Sequence, residues 1–199
     1  EVLRLYGYDN ITSTLMTGVT TRGGKNHAHI VVDRAREALL AEGAYEIETY
    51  SFVSPHDIEK LGLAADDARL NPVRLLNPLG EDTSVMRTTL TPSMLQTLSY
   101  NLNHGNPSAL MFETAMRFEK TSEMAQTPDG KLANLPNELN TLEIGMYGDD
   151  ADFYRLKAIV DSLLTHFNET GKYAPDGDGY FHPGRKARVS VNGKSLGQL

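Results

Sequence analysis

Residues 109–119 alternate between apolar and charged side chains, and this alternation constrains the fold more than any other feature of the sequence. One face holds Leu110, Phe112, Thr114, Met116 and Phe118, and the other holds Glu113, Arg117 and Glu119. Such a period of two is typical of a β-strand with one buried face. Residues 141–147 alternate in the same way, and the polar, proline-containing stretch 120–137 between them predicts a long loop. The two segments therefore predict an antiparallel pair of strands.

Apolar positions with helical spacing predict helices at 26–42, 54–61 and 152–168, and another that begins at the cap residue Thr91. Short strands are expected at 45–53 and 71–76. Near the end of the chain, Asn192-Gly193 separates two alternating runs, which favours a type I′ hairpin. Irregularly placed helices mixed with these strands predict an α+β fold with a largely antiparallel sheet and flanking helices.

The composition excludes several kinds of protein. The chain has 199 residues and no cysteine, which rules out disulfides, thiolate zinc sites and thiol catalysis. Its formal net charge of −7 argues against a general polyanion binder. No apolar run approaches the roughly 18 residues of a membrane span, so no membrane partner is expected. The chain begins at Glu1 without a methionine or a signal-peptide pattern, and we expect it to be a piece of a longer protein.

Motifs for nucleotide and metal binding are weak. The sequence lacks the patterns GxxxxGK[ST] and GxGxxG, and Gly23-Gly24-Lys25 is better interpreted as a linker. His27 and His29 are two positions apart, so on a helix they diverge too far to share an ion. The carboxylates at 149–152 are explained by the positive N-terminal end of the helix that follows.

Glu113 and Arg117 are candidates for acid–base chemistry because both lie on the charged face of the strand at 109–119. Their spacing of four residues separates them by roughly 13 Å along a strand, so they cannot touch one another. The simpler interpretation is that this face of the sheet is solvated.

Two further segments place arginines beside turns. One is 82–88, where Arg87 precedes a capped helix, and the other is 181–187, where His182 and Arg185 flank Pro183-Gly184. Each arginine has two interpretations. It contacts an anion or a partner carboxylate at an interface, or it is a loop brace, meaning a side chain that hydrogen-bonds within its own loop region. For Arg185 we favour the loop brace.

These segments, taken in order, resemble the β subunit of bacterial phenylalanyl-tRNA synthetase. The similarity begins at Glu1-Val2-Leu3-Arg4-Leu5-Tyr6-Gly7-Tyr8-Asp9-Asn10-Ile11, which resembles the end of a B5 domain. The later matches are Tyr50-Ser51-Phe52, Leu76-Asn77-Pro78-Leu79, Asp82-Thr83-Ser84-Val85-Met86-Arg87-Thr88, Asn101-Leu102-Asn103, Phe112-Glu113, Asp152-Phe153-Tyr154-Arg155-Leu156-Lys157 and Phe181-His182-Pro183-Gly184-Arg185. Their order over nearly the whole chain makes the resemblance specific.

The resemblance implies a fold and a role. The fold is the class II aminoacyl-tRNA synthetase-like antiparallel sheet with flanking helices, here incomplete at the C-terminus. It implies that residues 1–25 are the end of the B5 domain and a linker, and that 26–199 are the catalytic-like core. That core is non-catalytic, so no catalytic residue is assigned and the fragment is expected to be inactive alone. The α subunit attaches phenylalanine to its tRNA.

The resemblance also implies partners, cofactors and a location. The partners are the α subunit, a second αβ pair in an (αβ)2 heterotetramer, and tRNA-Phe in the full complex. The whole enzyme uses ATP and Mg²⁺ in the cytoplasm, and this fragment is expected to bind neither alone. By the family match Glu1 is one magnesium ligand, whose companions would precede this sequence. A single carboxylate holds Mg²⁺ poorly, because the ion takes about six oxygen ligands.

The strand at 109–119 departs from the family pattern. Where the family usually has Phe-Glu-Ile-Gly-Arg-Val-Phe, this chain has Phe112-Glu113-Thr114-Ala115-Met116-Arg117-Phe118. Met116 takes the place of the family arginine, and the shift of the arginine by one position to Arg117 moves it to the opposite face of the strand.

Two alternative functions remain open on the sequence. The first is a direct tRNA-binding module, in which Arg185, Lys186, Arg188 and Lys194 form the basic patch. The second is an autonomous class II-like ATP-dependent ligase. The second is disfavoured because the sequence lacks a glycine-rich strand–helix motif ending in the arginine that would face ATP.

Overall fold

A computed structural model describes residues 1–121 and 135–199 of the chain. The helices are α1 (Val2–Tyr6), α2 (His27–Ala41), α3 (Pro55–Glu59), α4 (Thr91–Asn103) and α5 (Phe153–His166). The strands are β1 (Tyr45–Glu46), β2 (Phe52–Val53), β3 (Val85–Met86), β4 (Ala109–Glu119), β5 (Asn137–Tyr147), β6 (Lys172–Ala174), β7 (Arg188–Val191) and β8 (Lys194–Gln198). Short 3-10 turns lie at Tyr8–Asn10, Ala68–Leu70 and Glu81–Thr83.

The central sheet has the order β1-β4-β5. β1 runs parallel to β4, and β4 pairs antiparallel with β5 from Ala109 opposite Tyr147 to Glu119 opposite Asn137. The predicted antiparallel pair and the α+β class are therefore confirmed. β5 begins at Asn137, before the predicted start at 141. Of the predicted loop at 120–137, residues 122–134 lie outside the described residues.

Both faces of this sheet are covered. On one face Leu39 of α2 and Ile159 of α5, each fully buried, pack against the fully buried Phe112 of β4. On the opposite face α4 approaches β5 at Gly145, where a Cβ atom would lie 2.8 Å from side-chain atoms of Met94 and Leu98. A larger residue would have to push these side chains aside, so Gly145 favours the close approach of α4.

Two smaller sheets complete the fold. β2 pairs antiparallel with β3, and β6, β7 and β8 form a three-stranded antiparallel sheet. The predicted hairpin between β7 and β8 is confirmed, because Asn192 and Gly193 have φ angles of 51° and 78°, as a type I′ turn requires. A cluster of Leu164, Val189 and Leu199 packs this sheet against α5.

Several predicted elements differ in the structure. The expected strand at 45–53 is interrupted, because the backbone N–H of Thr49 donates to the side chain of Glu113 (3.0 Å) rather than to a neighbouring strand. The expected strand at 71–76 is reduced to one isolated bridge between Arg74 and Val85. Thr91 is not the cap of α4, since Leu90 holds that position and the Thr91 hydroxyl lies 3.0 Å from the hydroxyl of Thr89.

The apolar stripe on α5 is more deeply buried at one position than periodicity indicated. The spacing of apolar residues predicts a stripe of Phe153, Leu156, Val160, Leu163, Leu164 and Phe167. Ile159 lies outside that predicted stripe and is 0 % exposed, and Leu164 is 6 % exposed. Four other stripe residues are partly buried and line a cavity beside the sheet: Leu156, Val160, Leu163 and Phe167. Asp152 caps the helix by accepting a hydrogen bond from the Arg155 backbone N–H (2.7 Å). Over the described ranges 1–121 and 135–199, no helix combines the length and apolar character needed to cross a bilayer.

Replacing Ile159 with alanine should lower the free energy of unfolding by about 2–5 kcal/mol, because it removes buried contacts and leaves a cavity. Tyr154→Ala on the same helix is the matched control, because Tyr154 is 76 % exposed and its loss should change stability by less than about 0.5 kcal/mol. Urea denaturation of both variants measures the difference. Equal midpoints would contradict the assignment of Ile159 to the core.

Candidate functional site

A buried ion pair lies at the centre of the sheet face that α4 covers. Arg87 follows β3 and Glu113 lies on β4, and their side chains are each 3 % exposed. The guanidinium Nη1 of Arg87 donates to Oε1 of Glu113 at 3.0 Å, and its Nε donates to the backbone carbonyl of Met116 at 2.8 Å. The expectation that Glu113 lies on a solvated face is therefore wrong, because α4 and the segment around Arg87 cover this face.

Thr49 completes the network. Its backbone N–H donates to Oε1 of Glu113 at 3.0 Å, and its hydroxyl lies 2.9 Å from Oε2 of the same carboxylate. The Arg87 guanidinium also donates to the Thr49 hydroxyl at 3.0 Å. These bonds satisfy a carboxylate and a guanidinium that would otherwise be costly to bury.

A second carboxylate, Glu143, lies directly opposite Glu113 in the β4–β5 ladder. Burial raises the pKa of Glu143 to about 7, a hydrogen bond with Thr91 partly offsets that rise, and the charge of Glu113 adds to it. Arg87 is hydrogen-bonded to Glu113, and Glu143 has no ion pair with another residue of the described ranges. One cation therefore serves two facing carboxyl groups.

A cavity of about 860 Å³ runs beside β5, α5 and the β7–β8 hairpin. Its wall is mostly apolar, and its polar positions include Arg69, Arg117, Glu143 and Tyr180. Burial, together with the charge of Asp178, raises the pKa of the Tyr180 phenol to about 12, so this group stays protonated at neutral pH. The Thr114 hydroxyl is buried without a hydrogen-bond partner among the described residues.

Both arginines in the cavity wall are already paired with carboxylates. Arg69 donates to Asp67 at 2.7 Å and to Asp178 at 2.6 Å, which fastens the turn at 68–70 to the loop before β7. Arg117 forms an ion pair with Glu119 two positions along β4. The cavity wall thus presents no unpaired cation from the described residues to a bound polyphosphate.

His182 and Arg185 lie in an exposed turn. The Gly184 backbone N–H donates to Nδ1 of His182 at 3.1 Å, and the Arg185 backbone N–H donates to the His182 carbonyl at 3.0 Å. The Arg185 side chain is exposed and forms no hydrogen bond with other described residues. Lys186 braces this loop by donating to the carbonyl of Gly177 at 2.8 Å. Both interpretations of Arg185, as a loop brace and as an interface residue, stay predictions.

Glu1 lies at the exposed start of α1, and the partner described for its carboxylate is Arg4, at 3.5 Å. Within residues 1–121 and 135–199, no group of three or more histidine or acidic side chains could hold a metal ion. The described residues therefore do not by themselves fit a magnesium site at Glu1, and no chemistry is derived from one.

The sequence alone indicates Arg87 and Glu113 as charged candidates, but it does not indicate that they meet. It gives no sign that Thr49 and Glu143 lie beside them. The position of Glu113 was the one signal for a buried ion pair. A carboxylate in the centre of a long strand needs a cation if a helix covers that face of the sheet. The spacing of 26 residues between Arg87 and Glu113 gave no indication that they meet.

Solved structures of similar fold identify the architecture. Pyrrolysyl-tRNA synthetase from Desulfitobacterium hafniense superimposes with a TM-score of 0.62 at 16% sequence identity, covering 85% of this chain and 57% of that one. A second structure of the same synthetase gives a TM-score of 0.60 at 15% identity, covering 85% and 55%. The antiparallel sheet with its flanking helices is the fold of a class II aminoacyl-tRNA synthetase, as expected from the sequence.

Sequence comparisons identify the family. The model of the phenylalanyl-tRNA synthetase beta chain CLM domain matches residues 11–199, and the chain belongs to this family. The phenylalanine–tRNA ligase beta subunit of Clostridium tetani is 38% identical over 201 residues, covering 100% of this chain and 24% of that protein. The subunit from Syntrophus aciditrophicus is 37% identical over 203 residues, covering 100% and 25%. The chain thus spans about a quarter of the length of these relatives.

Replacing Glu113 with glutamine should lower the free energy of unfolding by about 3–5 kcal/mol, because it leaves the Arg87 guanidinium buried without its counter-charge. Glu119→Gln is the matched control on the same strand, because its ion pair with Arg117 is partly exposed and should contribute no more than about 1 kcal/mol. Chemical denaturation of both variants at pH 7 measures the difference. A Glu113 variant as stable as the control would show that the pair does not stabilise the sheet.

Glu143 should make the protein less stable as the pH rises. A carboxyl group whose pKa is raised on folding binds a proton more tightly in the folded state, so stability falls between about pH 4.5 and 7 as that proton is lost. Glu143→Gln should remove this part of the pH dependence and raise the free energy of unfolding at pH 8 by about 1–3 kcal/mol. Melting curves from pH 5 to 8 test this, with Glu138→Gln, an exposed position on the same strand, as the control. An unchanged pH profile would contradict the assignment.

Proposed function

We propose that this chain is a non-catalytic scaffolding core of the phenylalanyl-tRNA synthetase β subunit. In this role it packs against the α subunit, which performs the ATP-dependent attachment of phenylalanine to tRNA-Phe. The assembly is an (αβ)2 heterotetramer in the cytoplasm, and ATP and Mg²⁺ belong to the chemistry of the whole enzyme. The family match over residues 11–199 and the identity of the similar beta subunits support membership in this ligase.

The proposal rests on one observation: both arginines in the cavity wall are paired with carboxylates of this chain. Arg69 is held by Asp67 and Asp178, and Arg117 by Glu119. A site for ATP needs cations or metal ions directed at the phosphates. Within the described part of the chain, the arginines beside the 860 Å³ cavity instead neutralise their own neighbours, while Glu143 and Glu169 add acidic groups to its wall. This arrangement favours a structural rather than a catalytic role.

Exposed apolar side chains on α2, β1 and α4 supply surfaces for a protein partner. Large apolar patches on a surface are typical of interaction sites. Ile30 and Leu40 lie on α2, Tyr45 lies on β1, and Leu95 and Leu102 lie on α4, with exposed fractions between 45% and 72%. By the family resemblance, the helix at 26–42 and the strand at 45–53 would correspond to the class II motif that makes subunit interfaces, and the exposure of these side chains supports that part of the proposal.

Direct tRNA binding by this chain is less well supported. Of the four basic residues considered for it, Lys186 is bound to backbone carbonyls of its own loop, and Arg188 donates to Asp176 at 2.7 Å. Two of the four cations in this patch are thus engaged, and the whole chain has a formal net charge of −7. Binding of tRNA to the patch would therefore release few counterions.

Assembly with the α subunit tests the proposal. The chain mixed with its cognate α subunit should elute from a sizing column as one complex, whereas the chain alone should give no phenylalanine-dependent ATP–pyrophosphate exchange. The physical reason is the lack of a free cation beside the cavity among the described residues. The α subunit alone and a denatured sample of the chain serve as controls. Separate elution, or exchange that scales with the concentration of this chain alone, would contradict the proposal.

A further inference from the structure

The tip of the β7–β8 hairpin places an asparagine directly before a glycine. Asn192-Gly193 is the one Asn-Gly pair in the sequence, and both residues are exposed. The backbone N–H of Gly193 has no hydrogen-bond partner among the described residues. A Cβ atom added to Gly193 would meet no atom within 4 Å beyond its chain neighbours. The space beside Gly193 is therefore open, and this residue has no side chain of its own to hinder an approach to its nitrogen.

An asparagine in this setting can lose its side-chain amide without an enzyme, which is one reason why asparagine is thermally labile in proteins. The Gly193 nitrogen gives up its proton to solvent base and attacks Cγ of Asn192. A C–N bond forms, which closes a five-membered succinimide ring, and the amide nitrogen leaves as ammonia. Water then opens the ring at one of its two carbonyls. One opening gives aspartate, and the other gives isoaspartate, in which the main chain runs through the side-chain carbon.

The other asparagines of the sequence are less suited to this reaction. Three of them, Asn71, Asn77 and Asn106, precede proline, whose nitrogen carries no proton to lose. The remaining ones precede residues that carry a Cβ and a side chain, which hinder the approach of the backbone nitrogen. The sequence and the open turn together single out Asn192.

Aspartates before glycine undergo a related ring closure, but arginines hold the two in the loop before β7. Asp176 accepts a hydrogen bond from Arg188 at 2.7 Å, and Asp178 accepts one from Arg69 at 2.6 Å. The hydrogen bond from Arg188 keeps the pKa of Asp176 below its usual value. An ionised carboxylate resists attack by a nitrogen, so these positions are less reactive than the neutral amide of Asn192. Asp129-Gly130 lies outside the described residues.

Glu169, between α5 and β6, holds the side-chain amide of Asn192. Nδ2 of Asn192 donates to Oε2 of Glu169 at 3.0 Å. Glu169 is partly buried, and its backbone N–H donates to the carbonyl of Leu164 at 2.9 Å, so its carboxylate is presented from an ordered position. The amide nitrogen that Glu169 binds is the group that must leave when the ring closes. A hydrogen bond to that nitrogen therefore opposes the reaction.

We propose that Asn192 is a site of spontaneous deamidation, and that its hydrogen bond with Glu169 slows the reaction while the hairpin is closed. The reaction changes the hairpin whichever product forms. Aspartate at this position replaces the hydrogen bond with repulsion between two carboxylates. Isoaspartate lengthens the main chain of a two-residue turn whose closing pair is Val191 and Lys194. Either product should weaken the contact of β7 with α5.

Peptide mapping by mass spectrometry after incubation at mildly alkaline pH measures the reaction. In the chain unfolded by urea, Asn192 should convert several-fold faster than any other asparagine, and folding should slow its conversion. Glu169→Ala should raise the rate in the folded chain several-fold. Glu169→Gln keeps an acceptor oxygen and should keep the slow rate. Lys194→Ala is the matched control, because it alters an exposed side chain of the hairpin and leaves the amide of Asn192 in place.

Each part of the inference can fail separately. An Asn192 that converts no faster than the other asparagines in the unfolded chain would overturn the site. The role of Glu169 would be overturned by three results: an unchanged rate in Glu169→Ala, a Glu169→Gln chain as fast as Glu169→Ala, or an equal increase in Lys194→Ala. Asn192→Asp carries one product from the start and should melt at a lower temperature than the unaltered chain. Equal melting would overturn the expected effect on the hairpin.

Discussion

The hydrogen-bonded ion pair between Arg87 and Glu113 joins three parts of the chain that are distant in sequence. Its side chains connect β4 to the segment after β3 and, through Thr49, to the interruption between β1 and β2. The backbone of Arg87 adds to this, because its N–H donates to Ser51 and its carbonyl accepts from Phe118, both at 2.9 Å. α4 begins four residues after Arg87, so the network lies at the start of the segment that leads into this helix.

Charged side chains on this face of the sheet are bound by other residues of the same chain. Arg87 compensates Glu113, and Glu143 opposite it relies on a proton and on Thr91 instead of a second cation. The same is true at the cavity, where Arg69 is held between two aspartates. These ionic groups hold loops to the sheet and so stabilise the fold.

The sequence predicted those features that depend on local periodicity. The alternation at 109–119 gave β4 with its observed bounds, the apolar stripe gave α5, and Asn192-Gly193 gave the β7–β8 hairpin. The short strands were harder, because β6 and β3 span three and two residues and are defined by their partners rather than by their own pattern. The break at Thr49 depends on a side chain 64 residues away, which no local pattern reports.

The candidate sites depended on facts that lie outside local patterns. Alternation places Glu113 and Phe112 on opposite faces of β4, but it does not say that a helix covers both faces, so Glu113 was assigned to solvent. Arg185 and Lys186 are adjacent and equally basic, and only the course of the chain decides that Lys186 reaches the carbonyl of Gly177. The sequence therefore shows where charged side chains lie along the chain. Tertiary contacts decide which residue each of them binds.

The buried ion pair also explains why the chain breaks between β1 and β2. Thr49 is bound to a carboxylate that is itself fixed by Arg87, so this segment is attached to β4 through a side chain instead of a strand ladder. Removing Glu113 would release the Thr49 backbone N–H as well as the Arg87 guanidinium, so the segment would lose its attachment together with the ion pair. Removing Tyr50, whose side chain is 84% exposed, would leave that attachment in place.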